Sequence, residues 1–100
     1  MSGGGFLNDW RCKEVYFTRH AIERMRQRGA SEDEVRETIR NGELLEAREG
    51  RMAVRKNFPF GKVWKGKLYR MKQILVVVAE EQERVVVVTV LVFYFGEEKR

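Results

Sequence analysis

The chain has 100 residues, 43% of them apolar and 35% charged, with a formal net charge of +5. That is one domain with room for one modest core, and its charge excludes a membrane protein. Its longest apolar run, Val85 to Phe95, broken only by Thr89, is shorter than the about 18 residues a spanning helix needs.

No basic segment followed by an apolar one opens the chain, so no signal peptide is expected and the cytoplasm is the expected compartment. Residues 1–5 read as a flexible leader, 6–96 as a single α+β domain and 97–100 as a frayed tail. Phe6, Leu7 and Trp10 are candidates to pack onto the domain, and Glu14 to Phe17 read as a short strand or an extended entry. One cysteine, Cys12, permits no internal disulfide, and with one histidine no Cys/His metal cluster; it reads as a core or half-buried thiol.

A first helix is predicted over Arg19–Arg28. Thr18 is placed to accept from a first-turn amide, Gly29 to end the helix, and Ala21, Ile22 and Met25 to form its apolar stripe. Ser31 and Glu34 then open a second helix as a capping box, its acids suiting the positive end of the dipole. Val35 and Ile39 face the core and Gly42 ends it.

The remainder reads as sheet. Leu44–Arg48 and Met52–Lys56 flank a turn at Glu49-Gly50-Arg51, and Asn57 to Gly61 read as a break. Lys67–Ala79 and Arg84–Phe95 are long strands joined by an acidic, solubilising turn, Glu80 to Glu83. Near that turn both strands are apolar on both faces, which predicts cover on two sides. The helices supply one cover; loops, the N-terminal segment or a partner chain must supply the other.

Charge is segregated along the chain. Residues 31–50 carry seven acids against three bases, and residues 51–79 carry eight bases and no acid. Within the basic part, Lys62, Lys65, Lys67, Arg70 and Lys72 alternate with Trp64 and Tyr69, after Phe58 and Phe60. Cations bind phosphates and aromatic faces stack on unpaired bases, which favours single-stranded or loop RNA over a membrane surface. The same segment also reads as an edge strand whose lysines prevent aggregation.

His20 is the chain's one histidine, and Arg24 and Arg28 follow at helical spacing on the same side, away from the apolar stripe. Imidazole moves a proton and guanidinium neutralises phosphate charge, so this set suits phosphoryl chemistry. A solvated basic helix face with one incidental histidine has the same pattern. Thr89 is either a β-former with a local acceptor or the mark of a site, and Tyr94 has the opposite parity unless a bulge intervenes. No phosphate-binding glycine loop, Ser/His/Asp set or acid cluster around the histidine is present, so no metal or cofactor is expected.

The stretch from Thr18 through His20-Ala21, Glu23-Arg24-Met25, Arg28-Gly29 and Ser31 to Val35 resembles the opening motif of a bacterial family of small domains of unknown function. Val85 to Val90, ending Thr-Val, resembles its closing strand. That family is similar to the barnase/EndoU/colicin/RelE-like ribonuclease toxins. The resemblance implies two N-terminal helices on a curved antiparallel sheet of about four strands, with a site between the histidine's helix and the sheet. It implies a metal-independent endoribonuclease toxin cleaving single-stranded or ribosome-bound RNA through 2′-hydroxyl attack and held inactive by an antitoxin; the doubly apolar strands leave room for that partner, or for a homodimer. His20 would be general acid or base, Arg24 and Lys72 would bind the scissile phosphate, Thr89 would orient it, and Arg28, matching the arginine before the motif's glycine, would belong to the same catalytic set. Tyr94, Tyr69, Glu23 and a lysine stay open as its acid–base partner. A non-catalytic RNA-binding module and a protein-interaction domain are the alternatives.

Overall fold

The computed structural model describes residues 9–97. In chain order these form α1 (Asp9–Cys12), β1 (Glu14–Phe17), α2 (Arg19–Arg28), α3 (Glu32–Asn41), β2 (Glu43–Arg48), β3 (Arg51–Trp64), β4 (Lys67–Glu80) and β5 (Arg84–Glu97). Residues 1–5, Phe6 and Leu7, and the tail beyond Glu97 lie outside the described residues. Among those described, no helix is long and apolar enough to cross a membrane.

The helix ends form through local hydrogen bonds. Thr18 Oγ1 accepts from the Ala21 amide at 3.0 Å, and Gly29 closes α2 in a left-handed conformation, φ +86°. The Ser31–Glu34 capping box is complete in both directions, at 3.1 and 3.0 Å. A third tie comes from α1, where Arg11 donates to the carbonyls of Ile39, Arg40 and Gly42 at the end of α3.

The strands form one five-stranded sheet in the order β1-β5-β4-β3-β2. Neighbours are antiparallel except β1, which runs parallel to β5 over Arg84–Val87. α2 lies along β5, and α3 lies over β3 and β4. Alternate strand residues point at the helices: Met52 and Val54, Ile74, Val76 and Val78, and Val85, Val87 and Val90 are buried with Ala21, Met25, Val35, Ile39 and Trp10.

The expected fold, two N-terminal helices on an antiparallel sheet of about four strands, is therefore corrected to a mixed five-stranded sheet with short helices. The added strand is Glu14–Phe17, the short-strand reading of that segment, and it is fixed by β5, far along the chain. The expected break at Asn57 to Gly61 is instead a β-bulge inside β3. Pro59 fits there because β2 pairs with β3 only as far as Arg55, so proline's missing donor faces an open edge.

On the helix-free face of the long strands Phe93 and Phe95, far from the Glu80–Glu83 turn, are 49% and 41% exposed, while Val77, Ala79, Val86 and Val88 nearer it are half-buried. One further expectation is corrected. Cys12 is exposed, because the side chain of its neighbour Trp10 takes the core position of α1.

Candidate nucleic-acid interface

The candidate site lies where the end of α2 meets β4 and β5. Phe58, Lys72 and Tyr94 share one cross-strand row, and Lys72 and Tyr94 both reach to the carbonyls that end α2. Lys72 Nζ donates to Gly29 O at 2.7 Å, and Tyr94 Oη donates to Arg28 O at 2.7 Å. Helix ends leave such carbonyls without intrahelical partners, and a cation is favoured beside them.

Lys72 is only 6% exposed. Its charge is met by Glu34 Oε1 at 2.9 Å, the oxygen that also accepts from the Ser31 amide. The capping carboxylate of α3 therefore also holds the sheet lysine, and Lys72 is occupied by the fold itself. Its ammonium also lies 5.3 Å from the centroid of Phe60.

Tyr94 is the centre of an aromatic cluster. Trp64 stacks on it at 4.7 Å with an 18° interplanar angle, Phe60 tilts against it at 5.1 Å and Tyr69 at 5.8 Å. Burial raises the Tyr94 pKa, and the nearby Glu34 charge raises it further, so the phenol keeps its proton at neutral pH. Gly29 makes this approach possible: a Cβ there would strike the Tyr94 hydroxyl and come within 3.0 Å of Trp64.

An open pocket of about 260 Å³ lies beside this stack, lined by Trp64, Tyr94, Leu91 and Val92 with Gln27, Arg28 and Lys65. Arg28 is braced there by a 2.7 Å hydrogen bond to Val90 O, and Arg24 donates to Gln27 Oε1 at 3.0 Å. Lys65 Nζ sits 5.7 Å from the Trp64 centroid. Among the described residues Lys62 and Lys65 make no ion pair with an acid, while Lys67 lies 4.0 Å from Glu97. Arg70 lies on the same strand, exposed.

The candidates read from the sequence are thus divided. Arg28, Lys72, Trp64, Lys65 and Tyr69 come together around Tyr94. His20 does not: it is exposed at the other end of α2, about 12 Å along the axis from Arg28 at 1.5 Å per residue. Thr89 pairs with Val77, whereas Tyr94 pairs with Lys72, so the two residues face opposite sides of the sheet.

A β-bulge between Val87 and Thr89 sets that orientation. Without it, Thr89 would continue the helix-facing series of Val85 and Val87; with it, Val90 does so instead. Gln27, Leu91 and Val92 carry no site reading in the sequence, and Gly29 reads there only as a helix end and a motif residue. A helix-ending glycine and apolar strand residues carry no local mark of a site, and Tyr94, open in the sequence as an acid–base partner of His20, instead centres the aromatic cluster at the other end of α2.

Residues 17–92 match the model of the family described as domain of unknown function DUF4258, and the chain belongs to that family. Comparison with curated proteins gives no match, and comparison with solved structures gives none.

Proposed function

We propose that this domain binds single-stranded RNA at the aromatic and basic surface around Tyr94. The carrying observation is the Trp64–Tyr94 stack beside an open pocket rimmed by Arg28 and Lys65. Unpaired bases stack on aromatic faces, and each such contact contributes about 1–3 kcal/mol without selecting a base. Lysine and arginine around the stack meet the backbone phosphates, and the surplus of bases over residues 51–79 raises the local concentration of a polyanion. Lys72 contributes by holding the junction of α2 and α3 in place.

The test is fluorescence anisotropy with a labelled mixed-sequence single-stranded RNA over a salt series. Binding should weaken linearly in log salt, and Trp64→Ala should weaken it roughly 10- to 100-fold. Binding that ignores both salt and Trp64 would remove this reading.

A second reading, a metal-independent endoribonuclease of toxin type, is favoured by the exposed His20 with Arg24 and Arg28 following along α2. In that chemistry the 2′-hydroxyl attacks the adjacent phosphorus and the 5′-oxygen leaves. The product ends are a 2′,3′-cyclic phosphate and a 5′-hydroxyl. His20 would take the proton from the 2′-oxygen or give one to the 5′-oxygen, and the arginines would offset charge on the phosphorane-like transition state.

A further inference from the structure

The sheet has two open edges, and the chain treats them differently. On the β3 side, β2 stops at Arg55, and the exposed remainder carries Lys56, Pro59, a positive-φ Gly61 bulge and Lys62. These are devices that stop a strand edge from pairing with another chain. On the β5 side, β1 covers only Arg84–Val87. Val88 carries a bulge, the Arg28 guanidinium occupies the Val90 carbonyl and Gly96 has a positive φ. Between them Leu91 to Phe95 carry no charge and no proline, and Phe93 and Phe95 are exposed. The β3 edge is guarded along its length, whereas the β5 edge leaves Leu91 to Phe95 able to pair.

We propose that β5 pairs antiparallel with β5 of a second copy, about a two-fold axis at Phe93. The register follows from the backbone. The Val90 carbonyl points to the open side, where it accepts from Arg28, so the groups of Val92 and Tyr94 point there too. A two-fold at Phe93 sets Val92 of each copy against Tyr94 of the other, and each such pair exchanges two backbone hydrogen bonds. Phe93 then meets Phe93 at the closely spaced, non-hydrogen-bonded position, and Leu91 meets Phe95. Every side chain in these pairs on the uncovered face is apolar.

Charge does not oppose this pairing. The two Arg28 side chains, each anchored at Val90, would stand about 20 Å apart along the strands, well beyond the ~8 Å screening length. A different protein strand would be selected by complementary charges, and Leu91 to Phe95 offers none. The pairing requires no RNA. Leu91, Val92 and Tyr94 belong to both the edge and the pocket, so pairing would also set how much of the pocket a ligand can reach.

The experiment is disulfide trapping with Phe93→Cys in a Cys12→Ser background, alongside sedimentation of the wild-type chain. The non-hydrogen-bonded pair places Cα atoms about 4.5 Å apart, within disulfide range, whereas Phe95 stands about 13 Å from its symmetry mate. Phe93→Cys should cross-link almost completely on mild oxidation and Phe95→Cys hardly at all. Wild type should sediment as a dimer and Phe93→Lys as a monomer. A monomeric wild type, or cross-linking by Phe95→Cys as strong as by Phe93→Cys, would overturn the proposal. The cysteine variants keep the test valid if Phe93→Lys does not fold.

Discussion

Lys72 and Glu34 form a 2.9 Å ion pair between the middle of the sheet and the first turn of α3, with the lysine almost wholly removed from water. The same ammonium donates to Gly29 O, so one side chain ties together the end of α2, the start of α3 and β4.

Breaking this pair from either side should destabilise the fold unequally. Glu34→Gln keeps the capping box but leaves a buried ammonium without its counter-charge, at a cost of about 3 kcal/mol. Lys72→Met leaves only the Gly29 carbonyl and a half-exposed carboxylate unmatched, so a loss of about 1–3 kcal/mol is expected. Urea denaturation of both variants checks the order; equal stability to wild type in Glu34→Gln would show that the pair contributes nothing.

Gly29→Ala should be more damaging than an ordinary helix-end substitution. The left-handed backbone costs about 1–2 kcal/mol for a residue with a Cβ, and that atom collides with Tyr94. Thermal unfolding should report the loss, and the near-ultraviolet signal of the Trp64–Tyr94 stack should change with it.

Tyr94 gives a pH-dependent prediction. Its folded pKa lies above the ordinary value of 10.0, through burial first and the Glu34 charge second. The unfolded chain therefore loses this proton at lower pH than the folded one does. Stability from this group should be intact below pH 10.0 and fall as pH rises toward the folded pKa. Tyr94→Phe should lose about 1 kcal/mol at neutral pH, with its hydrogen bond to Arg28, and show a smaller alkaline decline than wild type. Parallel alkaline profiles would remove this assignment.

Lys62 and Lys65, flanking Trp64, have no acid beside them among the described residues. Replacing both with glutamine should weaken RNA binding at every salt concentration and reduce the slope of log affinity against log salt by about 1.4, at roughly 0.7 per phosphate contact. An unchanged slope would place the phosphate contacts elsewhere.

For cleavage, the decisive comparison is wild type against His20→Ala on labelled RNA in EDTA. His20 is exposed, so the fold should survive, and cyclic-phosphate ends made by wild type alone would assign the chemistry to it. RNA bound by both proteins and cut by neither would leave the binding reading standing and end the catalytic one for free RNA.

What the sequence by itself determined is local. Thr18, Gly29, Ser31, Glu34 and Gly42 set the helix ends through bonds to residues at most five positions away, and residue type alone expresses such bonds. Valine-rich segments declared the long strands for the same reason. Only the tertiary structure decided the site. Lys72 meets Gly29 across 43 positions and Tyr94 meets Arg28 across 66. In the sequence Lys72 looked like one cation in a basic run, because a lysine's burial depends on which carboxylate the fold brings to it. A bulge at Val88 sent Thr89 to the uncovered face and Tyr94 to the helix face, since one added residue inverts every side chain that follows it.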